Sequence, residues 1–275
     1  MIRPCWIVVY LMLIIPYAAS TAQSTMDGVG SARAAALGRA TTALPGDVGS
    51  QANPAAAAAR ALRSVHLFAH ESFGLAELRR GAVNVVLPVF GGTLLGGAGT
   101  FGYDAYRESY FTVGGAYGWG FGTSRVAHFG LYGRYYHTSI ASYGQAGTVG
   151  LTAGSHVQVL PSLSFGVLAT NINAPQWAEG IGLPQSLAVG LAYEAAPGFM
   201  VVLDALKDID FPLSVRGGVE TRPLPPLVLR AGFTTAPTRF TAGLGVQLGA
   251  LTADVAAENH QVLGWSPSVG FSAAW

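Results

Sequence analysis

Five charged residues in the last quarter of the chain have the types and spacing of a buried ionic site. They are Arg216, Glu220, Arg230, Asp254 and Glu258. They alternate with aliphatic residues in strand-like segments, as Arg230 does between Leu229 and Ala231. Because alternate residues of a strand point to opposite faces, the charges would share the face opposite the aliphatic side chains. The pattern favours a structural ion-pair network. It leaves open a polar patch that binds a ligand, and it disfavours catalysis.

No arrangement typical of an enzyme or a metal site accompanies these charges. Of the six histidines, only His66 and His70 are close in sequence. On a strand, two residues four positions apart lie about 13 Å from each other. The glycine run 91–99 lacks the Lys-Ser/Thr pair that a phosphate-binding loop requires. There is no G-x-S-x-G nucleophile elbow, and no Ser/His pair of the lipase type can be placed. We therefore expect no enzyme activity, no metal and no cofactor.

The elements that must position the charges are transmembrane β-strands. Only 11% of the residues are charged, against roughly 25% in an average soluble domain, and 37 are glycine. Between residues 64 and 275, segments of alternating polarity recur between turn residues, for example 111–121 and 240–248. Each is about ten residues long, as a tilted strand that crosses a membrane requires. We count about 14 segments, which predicts an all-β fold, a transmembrane antiparallel β-barrel.

The alternation alone would also suit a soluble β-sandwich or β-helix. In those folds the outer face would carry Lys, Glu and Thr. Here one face is aliphatic and aromatic, and the other is composed of glycine, small and polar residues. Two long uncharged stretches, 81–103 and 140–178, contain too many glycines and prolines to be good helices. A closed barrel, in which every backbone group pairs between strands, is the membrane fold that remains.

The first 22 residues have the features of a secretory signal peptide. Arg3 provides a positive n-region, residues 5–17 are apolar, and small residues at 20–22 form a cleavage site. A retained anchor helix is the alternative, but the apolar run is short for a bilayer. Cleavage would remove Cys5, the single cysteine, so we expect no disulfide and no thiolate metal site. Without Arg3, 14 basic residues balance 14 acidic ones, which gives no reason to expect a nucleic-acid partner.

Residues 23–63 form a separate N-terminal segment, which is rich in alanine and able to form short helices. The turns Pro45-Gly46-Asp47 and Asn53-Pro54 interrupt it. One interpretation is an amphipathic helix on the surface, and the other is a hatch inserted into the barrel lumen. Asn53 precedes a proline, which favours a turn, and its side chain can satisfy a nearby backbone group. A structural turn is the simpler role for Asn53, and a movable gate point is the functional alternative.

Several short motifs, in order along the chain, resemble those of one family of outer-membrane proteins. The first is G-S-A-R-A-A-A-L-G-R-A at 30–40, which contains Gly38 and precedes the Asp47 turn and N-P-A at 53–55. Later come G-V-E at 218–220, L-R-A-G-F at 229–233 and H-Q-V-L-G at 260–264. Together they resemble the PorV/PorQ family, although Gly46, Ala52 and Ala56 replace residues that are usual in its motifs.

The resemblance implies a 14-stranded barrel with a hatch formed by the Gly38, Asp47, Asn53 and Pro54 motifs. The PorV/PorQ family is related to the long-chain fatty-acid transporter (FadL-like) barrels. Some members take part in type IX secretion, where they bind exported cargo. The resemblance therefore implies an accessory or scaffold role in protein export, with secretion components or exported cargo as partners. The alternative is a FadL-like channel or transporter for small hydrophobic molecules, and a purely structural role stays open.

The last strand-like segment, 268–275, ends on an aromatic residue, as outer-membrane barrels commonly do. It places Val269, Phe271, Ala273 and Trp275 on one face. Phe271 and Trp275 would form the signal read by the barrel-assembly machinery. This end predicts a location in the cell outer membrane, in contact with lipid. The expected division is a signal peptide at 1–22, a hatch at 23–63 and a barrel at 64–275.

A transporter for hydrophobic molecules would need an opening in the barrel wall. A proline within a strand can produce one by kinking it. Pro88, inside the expected strand 83–90, is the candidate, and a bulge without function is the simpler interpretation.

Overall fold

Fourteen strands close into one antiparallel barrel, and two short strands form a separate hairpin. The computed structural model describes residues 30–47, 53–59, 61–121, 125–178 and 180–275, so the expected signal peptide lies outside the described residues. The strands are β1 (Ser64–Glu71), β2 (Arg79–Val89), β3 (Gly92–Tyr103), β4 (Tyr106–Phe121), β5 (Arg125–Ile140), β6 (Gly144–Leu160), β7 (Leu163–Thr170), β8 (Gln176–Ala178), β9 (Ile181–Gly182), β10 (Ser186–Ala196), β11 (Phe199–Asp208), β12 (Ser214–Leu224), β13 (Leu227–Thr235), β14 (Thr238–Leu248), β15 (Leu251–His260) and β16 (Gly264–Ala274). The predicted all-β barrel of about 14 strands is confirmed.

The wall is apolar outside because its strands alternate in polarity. Along β4, Phe111, Val113 and Tyr117 are exposed on the outer face, whereas Thr112 and Ala116 between them are buried towards the lumen. Consecutive strands are neighbours, the β8–β9 hairpin is inserted between β7 and β10, and β1 pairs with β16. Closure gives every strand of the barrel two neighbours, although β6 extends past β7 at the loop rim, where its residues 144–152 pair with β5 but not with β7. The apolar outer face suits contact with lipid.

Three adjacent strands are longer than the ten residues that we expected. β4 and β5 have 16 residues each, and β6 has 17. At about 3.3 Å per residue and a tilt of about 40°, such strands rise about 40 Å, whereas the apolar band of a barrel is about 25 Å tall. Beyond Phe111 and Tyr135 the outer face becomes polar, with Ser109 opposite His137. The sequence pattern ends where the apolar band ends, but the hydrogen-bonded pairing continues to the turn.

The two rims of the barrel differ in the length of their connections. At the rim where β1 begins and β16 ends, here called the terminal rim, turns such as Phe90-Gly91 and Gly249-Ala250 join the strands. At the opposite rim, here called the loop rim, the connections include 72–78, 171–185 and 209–213. The first contains two single-turn 3-10 helices, and the second contains the β8–β9 hairpin. In bacterial barrels the short turns are periplasmic and the longer loops are extracellular.

Pro88 lies in a regular part of β2. The β2–β3 register runs without a shift from Arg80 to Val89. On its other side, β2 pairs with β1 only as far as Val86. Pro88 therefore lies beyond the end of β1, where its missing N–H removes no hydrogen bond between those strands. The structure has no bulge at Pro88, so the prediction of a bulge is wrong. The β2–β3 register is continuous there and shows no opening between those two strands.

The segment before β1 lies inside the barrel. Helices α1 (Ala32–Ala36) and α2 (Pro54–Ala58) have five residues each, and almost all of these are buried. α1 contacts β13–β16, and α2 contacts β3–β6. The structure thus places both helices in the lumen rather than on the outer surface. No helix in the described part of the chain has the length and hydrophobicity needed to cross a membrane.

Candidate functional site in the lumen

A buried ionic cluster joins the hatch to three strands of the wall. Arg230 donates from Nε to Glu220 at 2.7 Å and from Nη1 to Asp254 at 2.6 Å. From the hatch, Arg33 donates to both oxygens of Glu220, at 2.8 and 3.0 Å. The side chains of Arg230, Glu220 and Asp254 are each less than a tenth exposed. Two guanidinium groups and two carboxylates therefore compensate each other, which offsets the cost of removing them from water.

The strand register explains how this cluster forms. Glu220 and Arg230 face each other directly across β12 and β13. Asp254 lies on β15, opposite Gly245 of the intervening strand β14. A Cβ atom on Gly245 would lie 2.3 Å from Oδ1 of Asp254 and 2.9 Å from Nη1 of Arg230. Glycine at this position leaves the space in which the ion pair crosses β14.

Glu258 forms a second ion pair with the hatch. Arg39 donates to its two oxygens at 2.9 Å each, and Nη1 of Arg239 lies 3.9 Å away. Arg216 lies elsewhere, opposite Asp204 of β11. The structure thus brings Glu220, Arg230 and Asp254 into one cluster, and it places Glu258 and Arg216 at separate positions in the lumen.

The sequence analysis did not identify the hatch partners of these carboxylates. Arg33 and Glu220 are 187 residues apart, and Arg39 and Glu258 are 219 apart, so no local pattern connects them. The available signal was the pair of arginines within the motif at 30–40. Burial alone would lower the pKa of Arg33, but the adjacent Glu220 carboxylate, with Asp47 nearby, raises the pKa above its ordinary value. Arg33 therefore stays charged in the lumen.

Inward-facing glycines of the wall give the hatch backbone the space it occupies. A Cβ atom on Gly232 would lie 2.4 Å from the Gly38 nitrogen, and one on Gly218 would lie 2.7 Å from the Leu37 carbonyl oxygen. Other strands approach the hatch in the same way through Gly130, Gly154, Gly166, Gly190 and Gly243. Side chains at these positions would collide with the hatch, so the glycine-rich wall is what allows the lumen to be filled.

The backbone conformation at Gly38 of the hatch motif requires glycine. Its φ of 63° lies in the left-handed region, and a Cβ atom would lie 2.4 Å from the Phe233 carbonyl oxygen. The Gly38 N–H donates to Oγ1 of Thr241 at 3.1 Å, and that hydroxyl donates to the Ala36 carbonyl at 2.8 Å. These bonds hold the end of α1 against β14.

Asn53 caps α2 and also attaches it to the rest of the structure. Its Oδ1 accepts the N–H of Ala55 at 3.0 Å, as an N-cap side chain does. Its Nδ2 donates to the carbonyls of Thr42 at 2.7 Å and Ser155 at 3.1 Å. Pro54 occupies the first helical position, where no intrahelical N–H bond is needed. These contacts supply the structural role of Asn53, and the role as a gate point stays a prediction.

A polar cavity of about 220 Å³ lies between the hatch and the wall near the terminal rim. Its lining includes Arg33, Asp47, His66, Arg222, Arg230 and Asp254. Asp47 of the hatch motif is buried and accepts a hydrogen bond from the Ser31 hydroxyl at 3.5 Å.

His70 contacts the hydroxyls of Ser268 at 2.8 Å and Ser72 at 3.1 Å, so it lies in a wall network of hydroxyl groups. Among the described residues, no group of three or more potential ligands is arranged to hold a metal ion.

An aromatic cluster surrounds Arg134 in the loop-rim half of the lumen. The guanidinium carbon lies 4.7, 5.1 and 5.9 Å from the ring centres of Tyr110, Tyr132 and Tyr136. Trp177 of β8 meets the Tyr136 ring edge-on at 6.2 Å. Tyr110 and Trp177 are partly exposed, so the cluster is accessible. The sequence analysis missed this cluster, although the alternation of Tyr110 with the outward Phe111 was a signal.

The comparison with known proteins shows the fold. No protein-family profile and no curated protein matches the chain. The Ralstonia pickettii toluene transporter TbuX is 13% identical with a TM-score of 0.64, over 91% of this chain and 99% of that one. The Pseudomonas putida toluene transporter TodX is 12% identical with a TM-score of 0.59, over 88% of this chain and 96% of that one. A Pseudomonas aeruginosa FadL homologue is 10% identical with a TM-score of 0.60, over 89% of this chain and 98% of that one. At these identities the likeness shows that the chain shares the barrel fold of these proteins.

Proposed function

We propose that the protein is an outer-membrane channel for small hydrophobic molecules. The observation that carries the proposal is the hatch, which crosses the lumen in contact with wall glycines such as Gly218 and Gly232. A lumen filled in this way differs from the water-filled lumen of a porin, through which hydrophilic solutes pass. The two hatch helices consist mainly of alanine, and Ala57 packs on Val86 and Leu95 of the wall. This apolar contact between hatch and wall suits the passage of an apolar solute better than that of an ion.

Two further observations support a hydrophobic solute. The tyrosine cluster around Arg134, with Tyr110 and Trp177 partly exposed, offers aromatic surface on the loop-rim side of the hatch. The fold is that of proteins named as toluene transporters and of a FadL homologue, which is support by analogy of fold.

The test is uptake by a Gram-negative host that produces the full chain. We expect a higher initial uptake rate of radiolabelled toluene, with unchanged entry of the hydrophilic sugar raffinose. The double change Tyr110→Ala and Tyr136→Ala should lower toluene uptake about threefold to tenfold, because two aromatic contacts are lost. Tyr117→Ala, on the outer face of the same strand, is the matched control and should have no effect. The proposal would be rejected if producing the chain left toluene uptake by the host unchanged, or if it raised raffinose entry as much as toluene uptake.

A role in protein export is a second candidate, favoured by apolar side chains at the tips of the loop rim. Tyr143, Ile209 and Val262 lie in three different connections and are 89%, 66% and 84% exposed. These side chains are accessible to a protein partner, which would bind them where they adjoin one another in a patch. This is the role that the PorV/PorQ resemblance implies, with secretion components or cargo as partners.

The test of the export role compares the periplasmic and secreted proteins of a deletion strain with those of the parent. Accumulation of secretion-targeted proteins in the periplasm would support it, and unchanged secretion would exclude it.

Both functions place the protein in the cell outer membrane with its terminal rim towards the periplasm. We propose export by the signal peptide at 1–22, a hatch at 23–63 and a barrel at 64–275. Phe271 and Trp275 are both more than half exposed, so they are available to the barrel-assembly machinery.

A further inference from the structure

The outer wall carries an apolar groove at the terminal rim, where β1 and β16 close the barrel. Its volume is about 370 Å³. The strand register places the outward side chains of the groove in two neighbouring rows of four. The row nearer the rim is Val65, Ala273, Leu251 and Leu248. The next row is Leu67, Phe271, Ala253 and Val246. Both rows belong to the outer, lipid-facing surface.

The groove exists because two of these positions are alanine. Ala273 and Ala253 are diagonal neighbours, and the larger side chains of Phe271, Leu251 and Leu248 stand around them. On β4, at the same rim, Trp119 and Phe121 provide large outward side chains where the groove has alanine. The depression at the barrel seam therefore follows from these two alanines.

A cation and an aromatic ring lie at the rim end of the groove. The Trp275 N–H donates to the Arg63 carbonyl at 2.9 Å, which extends the β1–β16 ladder by one pair. Strand parity puts both side chains on the outer face, next to Val65 and Ala273. Arg63 is exposed, and Trp275 is 64% exposed. Within the described residues, no carboxylate forms an ion pair with Arg63.

We infer that the groove binds one phospholipid of the leaflet at the terminal rim. An acyl chain would occupy the groove, and the phosphate would lie against Arg63, because guanidinium groups bind phosphate by paired hydrogen bonds. Trp275 would lie at the level of the head group, where tryptophan is enriched in membrane proteins. The short turns assign this rim to the periplasmic side. The free guanidinium at the rim end of an apolar groove favours a lipid with an anionic head group as the occupant. This inference does not depend on what the channel transports.

The experiment is native mass spectrometry of the full chain in detergent, titrated with dioleoylphosphatidylglycerol. We expect one lipid adduct that persists after the others are removed. Arg63→Ala should weaken this adduct about fivefold, since one arginine near the surface contributes about that much to the binding of anionic lipid. Ala253→Phe fills the groove and should weaken the adduct on the order of tenfold or more, because several methylene groups lose their site.

Arg125→Ala is the matched control, because Arg125 is exposed at the same rim, opposite Phe121 and away from the groove. It should leave the adduct unchanged. Equal losses in Arg63→Ala and Arg125→Ala would overturn the inference, as would equal binding of dioleoylglycerol, which lacks the phosphate. Dimers that Ala253→Phe disrupts, without any lipid adduct, would show instead that the groove binds a second copy. If Ala253→Phe does not fold, the smaller change Ala273→Val takes its place under the same expectation.

Discussion

Replacing Glu220 with glutamine tests whether the ionic cluster anchors the hatch. Glu220 accepts three charge-assisted hydrogen bonds, two from Arg33 at 2.8 and 3.0 Å and one from Arg230 at 2.7 Å. Glutamine has nearly the same shape, but it carries no charge, and its amide nitrogen would face guanidinium donors. Arg33 and Arg230 would then keep Asp254 and the nearby Asp47 as counter-charges, and neither arginine would keep its hydrogen bonds to a carboxylate at position 220.

The expected loss is large because the cluster is buried. Removing one partner of a buried ion pair lowers the free energy of unfolding by about 3–5 kcal/mol. The matched control is Glu71→Gln at the loop rim, where Arg79 lies 2.6 Å from Glu71 and the two side chains are 66% and 29% exposed. An exposed pair contributes about 0–1 kcal/mol, so this variant should be close to the parent protein. The two pairs differ in burial and not in contact distance.

The assay is urea unfolding of the full chain in one detergent, followed by tryptophan fluorescence. A double-mutant cycle with Arg33→Gln then separates the hatch contact from the wall contact. We expect a coupling of about 1–3 kcal/mol between Arg33 and Glu220, the range for hydrogen bonds to charged groups. Equal losses for Glu220→Gln and Glu71→Gln would refute the argument from burial. A coupling near zero would show that Arg33 does not hold the hatch to the wall.

Two further variants test the other contacts of the hatch. Gly232→Ala should lower the free energy of unfolding by about 1–3 kcal/mol, because its Cβ atom would lie 2.4 Å from the Gly38 nitrogen. Gly120→Ala, where nothing lies within 4 Å of the new atom, should be neutral in the same titration. Asn53→Ala should lower it by about 1–3 kcal/mol through loss of the cap and of the bonds to Thr42 and Ser155, and proteases should cut the hatch faster. Asn53→Asp keeps the accepting oxygen but puts a buried carboxylate oxygen against the carbonyls of Thr42 and Ser155, so it should lower the free energy of unfolding at least as much as alanine does, and a neutral effect would contradict the donor contacts of Asn53.

Much of the barrel could be predicted from the sequence because the relevant pattern is local. Each strand carries its own run of outward apolar residues, and turn residues such as Pro161 separate the runs. The same alternation predicts that Glu220, Arg230 and Asp254 point inward, where the structure places them. Strand length was less predictable, because β4–β6 continue beyond the apolar band through hydrogen bonding that leaves no periodic signal.

What could not be predicted depends on contacts between distant parts of the chain. The partner of Arg33 is set by where the hatch enters the barrel, which no spacing in the sequence records. Glycines such as Gly232 are visible in the sequence, but their function appears only when Gly38 lies against them. The outer groove likewise depends on the register that places Ala273 beside Leu251 and Val65.

The two halves of the hatch are held by different forces, and this bears on how a channel could open. The α1 half is tied to the wall by charge, through Arg33 to Glu220 and Arg39 to Glu258. The described contacts of the α2 half are the hydrogen bonds of Asn53 and the packing of alanines on apolar wall residues. Displacing α1 would break the ion pairs of Arg33 and Arg39, at a cost of about 3–5 kcal/mol for each broken pair. In the described part of the chain, only the wall arginines Arg230 and Arg239 would then lie beside the carboxylates of Glu220 and Glu258. Displacing α2 breaks no ion pair among the described residues, and an apolar solute could replace the alanine contacts that are lost. A hydrophobic molecule that passes the hatch would therefore meet the lower barrier on the side of β3–β6, below the tyrosine cluster.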